Sequence, residues 1–240
     1  QGSSFPTGLS ALSKKELRGQ VRLFNNEKAL LNYFCAMMKV NDPDVIIGHR
    51  LENVALDVLA HRAFELKVST FSTLGRRVRK NWPEKFGKNN SNMSQFYIRE
   101  IFSGRLLCDI SNEMGQSLTT KCQSWELSEM YQVTCQKDHK PLEINFQNPQ
   151  YQNDVNSMVL ALQENISNSL ITAEVAFRIQ ILSLTKQLTT LAGNAWCQTL
   201  AGTRAGRNEY ILLHEFARSN FIAPDKETRQ MRNQREQKMR

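Results

Sequence analysis

Asn41-Asp42-Pro43-Asp44-Val45-Ile46-Ile47-Gly48-His49 is the stretch on which the fold turns. Pro43 pushes the residue before it out of the helical region, so a helix arriving here must end. Val45-Ile46-Ile47 follows as a short, wholly apolar, β-branched run, which suits a strand buried on both faces. Gly48-His49-Arg50 closes it. Upstream, Ala29, Leu30, Tyr33, Phe34, Met37 and Met38 recur at helical spacing behind a possible cap at Asn25 or Asn26, predicting a helix from Asn26 to Val40. Downstream, Val54 to Leu66 resumes the helical period. Helix, strand, helix in such short succession predicts an α/β domain with a mostly central sheet.

Further along, Arg76 to Ser94 loses periodicity and fills with Arg, Lys, Asn and Gly, as a basic loop does. Phe96-Tyr97-Ile98 and Leu106-Leu107-Cys108, with Ser103-Gly104 between them, predict a β-hairpin over Phe96 to Ile110. Ser124 to Val133 reads as a short helix, and Lys137 to Gln152, with Pro141 and Pro149, as a polar loop. Asp154 to Thr190 is strongly helical, as one bent helix or two, with a stop at Ala192-Gly193-Asn194. The apolar stretch Tyr210 to Phe216 precedes a tail in which Arg229, Arg232, Arg235 and Lys238 recur every three residues.

The composition narrows the class. With 240 residues and 40% hydrophobic content a core can be buried, and no run of about 18 apolar residues suggests a membrane span. Gln1-Gly2-Ser3-Ser4 has neither the basic start nor the apolar core of a signal peptide, and both ends read as cuts from a longer protein. Cys35, Cys108, Cys122, Cys135 and Cys197 are odd in number and widely spaced without a C-x-x-C pair, which predicts reduced thiols rather than zinc ligands or a disulfide framework. The net charge is +8, from 31 basic and 23 acidic residues. Between Arg76 and Arg105 eight basic residues face two acidic ones, Glu84 and Glu100. Clustered positive charge is what a phosphate backbone requires, but a solvated loop has the same composition.

Several segments, taken in order, resemble family B DNA polymerases. Asp42 to His49 resembles the strand leading into their second exonuclease motif. Gly104-Arg105-Leu106-Leu107-Cys108-Asp109 resembles their G-R-x-x-x-D segment. Leu191-Ala192-Gly193-Asn194 and Gly202-Thr203-Arg204-Ala205-Gly206-Arg207-Asn208-Glu209-Tyr210-Ile211-Leu212-Leu213 resemble the connection towards the polymerase palm. Cys122-Gln123-Ser124-Trp125-Glu126-Leu127-Ser128-Glu129 and Arg207-Asn208-Glu209 are most like the alpha polymerases, with a fungal flavour. The resemblance implies a ribonuclease H-like 3′-5′ exonuclease fold over residues 1–190, with a mixed sheet flanked by helices, and a connection with a basic tail over 191–240. It also implies a nuclear parent polymerase that extends RNA primers, uses Mg2+, and works with DNA template and primer, a primase and an accessory subunit.

Proofreading members of the family hold two divalent metals with acidic residues from three motifs, and the metals stabilise the attacking and leaving oxygens. The first motif, Asp-x-Glu, is expected upstream of these residues. Where active members read G-Y-N-x-x-N-F-D, this chain reads Gly48-His49-Arg50-Leu51-Glu52-Asn53-Val54-Ala55, so alanine stands at the aspartate position. Asp57 is two residues on, about 200° around a helix, and points to another face. The third motif, Y-x-x-x-D, places Glu164 at the tyrosine and Asn168 at the aspartate. Magnesium requires hard charged oxygens, and each lost carboxylate removes a ligand and a charge. No catalytic residue or bound metal is expected in this chain.

The candidates for nucleic-acid contact are Arg204, Arg207, Arg76, Arg77, Arg79 and Lys80. Trp82, Phe86, Phe96 and Tyr97 interleave the basic segment and either stack on unpaired bases or anchor the loop to the core. His49, His61, His139 and His214 are scattered and read as structural or exposed. Two other functions are compatible with the residues alone: an exonuclease with a rearranged set of Asp57, Glu164 and Asp154, or a free-standing nucleic-acid-binding module built on Arg76 to Arg105.

Overall fold

The computed structural model describes residues 8–9, 17, 21–84, 86–87, 94–142, 144, 154–202, 204–223 and 231. Helix α1, Glu27–Asn41, starts where Asn26 Oδ1 accepts the N–H of Ala29 at 2.7 Å. It stops at Asp42, left-handed at φ 40°, directly before Pro43. Strand β1, Val45–Gly48, follows as expected. A π-helical turn, Leu51–Ala55, runs straight into α2, Leu56–Glu65, and a 3-10 turn over Ser69–Leu74 packs back on α1. Helix α3, Ser94–Ile101, then leads to β2, Leu106–Asp109, which pairs in parallel with β1 in the register Val45↔Leu106 to Gly48↔Asp109.

Two strands form the sheet among the described residues, and helices cover both of its faces. Alternate strand side chains point to opposite faces. Ile46 and Leu107 join a cluster with Leu31, Cys35, Ala60, Ile98 and Phe102. Val45, Ile47, Leu106 and Cys108 join another with Met114, Met130, Ile171, Val175 and Ile181. The apolar run that suggests a strand covered on both faces therefore serves two cores, although each β1 residue is itself only half-buried.

The β-hairpin expected over Phe96 to Ile110 is not formed. Phe96-Tyr97-Ile98 lies in α3, and Leu106-Leu107-Cys108 pairs with β1 instead. Tyr97, Ile98, Ile101 and Phe102 are buried, a spacing of i, i+1, i+4 and i+5 that belongs to a helix. The aromatic, β-branched start of that segment conceals the period. The turn expected at Ser103-Gly104 is present: Gly104 adopts φ +90°, and a Cβ there would stand 2.7 Å from Arg76 Cβ.

Beyond β2 the fold is helical: α4, Glu113–Leu118; α5, Leu127–Cys135; α6, Val155–Arg178; α7, Ile181–Ala192; α8, Trp196–Leu200; and α9, Arg204–Arg218. The long helical run divides between α6 and α7, where Gln180 turns left-handed at φ 52°. Gly193, at φ +69°, ends α7, and a Cβ there would collide with the His214 ring. The tail from Asp225 to Arg240, Met231 apart, lies outside the described residues.

Candidate functional site

In open α/β sheets the space beyond the carboxyl ends of parallel strands is where sites form, because the chain must turn away there. Here the turn after β1 is tightly held. Arg50 is left-handed at φ 50°, and its N–H donates to Ser111 Oγ at 2.9 Å. The N–H of Leu51 donates to Asp109 Oδ2 at 2.8 Å, and Asp109 Oδ1 accepts from the N–H and hydroxyl of Ser111. Buried Asp109 is thus spent on backbone and hydroxyl donors at the start of the π-helical turn. The G-R-x-x-x-D segment is structural throughout: Gly104 makes the turn, Arg105 ties down the amino end of the strands, and Asp109 caps the turn at the carboxyl end.

A second wall comes from the segment before α5. Glu129 accepts the N–H groups of Gln123, Ser124 and Trp125 at 2.8, 2.8 and 2.9 Å, and the hydroxyl of Ser124 at 2.6 Å. The Ser124 hydroxyl, followed by these backbone donors, holds the Glu129 carboxyl down at about 2. Trp125, left-handed at φ 52°, then offers its carbonyl to His49 Nε2 at 2.9 Å, and Glu126 pairs with Arg50 at 2.6 Å.

Between these walls and α6 lies a cavity of about 570 Å³. Ala55 and Asn168, predicted from separate motifs 113 residues apart, both line it. His139, read from the sequence as structural or exposed in a polar loop, lines it too. Its Nε2 lies 3.2 Å from Glu164 Oε1 and 3.1 Å from Asn168 Oδ1, while Asn168 Nδ2 donates to Glu164 Oε1 at 3.1 Å. His139 and Glu164 are each only 13% exposed at the side chain. No signal in the sequence joins His139 to α6; the return of a polar loop across a helix leaves no periodic trace.

The alternative carboxylate set does not converge. Asp57 faces His61 at 3.3 Å on α2, and Asp154 caps α6 through the N–H and hydroxyl of Ser157. Neither lines the cavity, and its one carboxylate-bearing lining residue among those described, Glu126, is paired with Arg50. Among the described residues, no group of three or more His, Cys, Asp or Glu side chains is placed to hold a metal ion. The residues present do not fit a metal pair: a methyl group at Ala55 and a neutral amide at Asn168 line the cavity, and the carboxylate of Glu164, which is not among the lining residues, is already engaged by two donors.

The basic segment is largely absorbed by the fold. Arg76 binds Asp42 at 2.9 Å and Asp44 at 2.6 Å; Arg79 binds Glu100 at 2.7 Å; Arg99 binds Glu52 at 2.7 Å. Arg105, 2% exposed at the side chain, binds Asp42 at 2.8 Å and the carbonyls of Leu74, Pro43 and Met38. Hydrogen bonds from Arg76 and then Arg105 hold the Asp42 carboxyl below the usual aspartate range, while burial pushes Glu52 up. Arg77 and Lys80 are exposed, without a hydrogen bond or ion pair among the described residues; Lys85 and Lys88 lie outside them. Arg204 is exposed on α9, and Arg207 Nη1 is buried there with no hydrogen-bond partner among the described residues. Trp82 stacks on Phe71 at 4.0 Å and on Phe86 at 5.2 Å, and Phe86 meets Tyr97 edge-on. Trp82, Phe86 and Tyr97 anchor the loop to the core, whereas Phe96 is exposed.

Comparison with known proteins agrees with this geometry. Residues 4–130, more than half of the chain, match the family "DNA polymerase family B, exonuclease domain". The chain therefore belongs to the exonuclease domain of the family B DNA polymerases. Within that class its relatives are catalytic subunits of DNA polymerase alpha. It is 71% identical over 236 residues to the one from Saccharomyces cerevisiae, covering 98% of this chain and 16% of that protein. It is 33% identical to those of Mus musculus, over 90% of this chain and 14% of the relative, and of Oryza sativa, over 94% and 15%. The chain thus spans about one-sixth of the length of the curated relatives it matches. No helix among the described residues is long and apolar enough to cross a membrane.

Proposed function

We propose that this chain is the inert exonuclease-like part of a DNA-directed DNA polymerase of the alpha type, with a ribonuclease H-like topology. The observation that carries this is the meeting of Ala55 and Asn168 in one cavity at the carboxyl end of β1. Two positions where active members place metal-binding aspartates face the same space, and neither supplies a charge. The parent polymerase extends RNA primers with deoxynucleotides in nuclear DNA replication, requires Mg2+ at a palm outside this chain, and works with a primase and an accessory subunit; the relatives among alpha polymerases support this.

The exonuclease-like part runs to about residue 190, and 191–240 connects it to the palm. Helix α9 supports that division: it buries none of its residues and leaves Ile211, Leu212, Leu213 and Phe216 partly exposed. Arg204 and Arg207 on α9, with Arg77 and Lys80 on the loop, have charge to offer template phosphates; Arg76 and Arg79 offer less, being held by carboxylates.

The test uses the full-length polymerase with Mg2+, a labelled primer–template and no nucleotides. The primer stays intact and extends once nucleotides are added. Shortening from the 3′ end that Glu164→Ala abolishes would overturn the proposal.

A further inference from the structure

We infer that His139 sits where a cation would have to sit, so that this cavity is closed to divalent metal by an occupant as well as by missing carboxylates. The inference rests on the cavity being a degenerate metal site. Nε2 of His139 faces two oxygens, Glu164 Oε1 at 3.2 Å and Asn168 Oδ1 at 3.1 Å. Carboxylate and amide oxygens only accept, so Nε2 carries the proton and is the donor to both. One N–H thus occupies the point between two oxygen ligands. Asn168 completes the set by donating Nδ2 to the same Glu164 oxygen at 3.1 Å. The polar atoms on these facing edges are matched to each other.

The surroundings make this arrangement durable. His139 and Glu164 are both 13% exposed, so bulk water competes little for their bond. Thr172 Oγ1 donates to the carbonyl of Asn168 at 2.7 Å, on the same stretch of α6 that lines the cavity. A cation approaching Glu164 must displace two donors from it and expel the imidazole. Restoring aspartates at 55 and 168 would not remove that obstacle: a carboxylate at 168 accepts from His139 more strongly than the amide does.

The consequence is a dependence between positions that carboxylate counting does not anticipate. The experiment follows Mn2+ by paramagnetic broadening of NMR signals from cavity residues in the 240-residue chain, and needs no nuclease activity. Ala55→Asp with Asn168→Asp is compared with the same pair plus His139→Ala, and with the same pair plus His139→Gln, which keeps an N–H donor. The expected result is that the His139→Ala combination binds Mn2+ at the cavity about ten- to a hundredfold more tightly than the pair alone, since a charge-assisted hydrogen bond no longer opposes the cation. The His139→Gln combination stays with the pair. Equal binding by the pair and the His139→Ala combination overturns the role of His139 while leaving the degenerate-site proposal standing. Failure of every variant to localise Mn2+ at the cavity overturns that proposal, and this inference with it.

Discussion

The two ends of the strand pair are both polar, yet they are built on opposite plans. At the amino end, Asp42 receives Arg76 and Arg105, and Arg105 also satisfies three backbone carbonyls while almost completely buried. At the carboxyl end, the walls are fixed by Asp109 and Glu129, but the space between them holds Ala55, Asn168 and His139 rather than facing carboxylates. One end uses its charges to fasten the fold; the other encloses a cavity whose lining carries one carboxylate among the described residues, Glu126. Of the eight basic residues from Arg76 to Arg105, four are paired by carboxylates of the chain itself. A charge surplus counted along the sequence therefore overstates what a phosphate would meet.

The largest expected effect comes at the amino end. Arg105→Ala strands the carbonyls of Leu74 and Pro43, takes one of two donors from that of Met38, and removes one partner of Asp42. Unsatisfied buried groups are costly, and stability to urea should fall by about 3 kcal/mol or more. Lysine would not substitute, since it lacks the fork that reaches several acceptors at once. Ala55→Ser, at the exposed position in the cavity, should change stability by less than about 0.5 kcal/mol. Comparable losses at the two ends would erase the contrast.

Much of this plan is legible in the sequence, for local reasons. The Asn26 cap, the stop before Pro43 and the apolar Val45-Ile46-Ile47 are set by neighbouring residues, and the structure follows them. So is the stop at Gly193. The hairpin reading fails because a short aromatic and β-branched run such as Phe96-Tyr97-Ile98 does not separate a helix from a strand. The true partner of Leu106-Leu107-Cys108 is β1, far upstream, in the register Val45↔Leu106. Ala55 follows directly from an anchored strand, and so is readable. His139 is not: its partners Glu164 and Asn168 lie 25 and 29 residues on, and only the folded chain brings them together.

Glu129 gives the comparison a pH axis. Its folded value of about 2 lies below the usual 4.5, so its stabilisation is fully present above pH 4.5 and is lost as pH falls towards 2. Asp42, also lowered, acts in the same direction from its usual 3.8 downward. Glu129→Gln should lower stability at pH 7 and flatten the loss between pH 4.5 and 2, leaving the share that belongs to the other lowered carboxyls, Glu27, Asp42, Asp154 and Glu174. Urea midpoints at neutral pH, at the usual glutamate value and about one unit above the folded one measure this. Parallel curves for the variant and the natural chain would show that the Glu129 turn does not hold the cavity wall.

The smallest effect separates exposed from paired arginines within one loop. Replacing Arg77 and Lys80 by alanine should leave thermal stability unchanged, because neither has a partner among the described residues. If they meet duplex phosphates, the slope of log binding constant against log salt should fall by about 0.9 for each. Replacing Arg76 and Arg79 should do the reverse: stability falls first, through loss of the contacts to Asp42, Asp44 and Glu100, while the salt slope changes little. The reason is energetic. An arginine already bound to a carboxylate must break that pair before it can neutralise a phosphate, whereas an exposed one gives up only water. If both pairs of substitutions lower the slope equally, the ion pairs open on contact with DNA, and the loop's charge is all available after all.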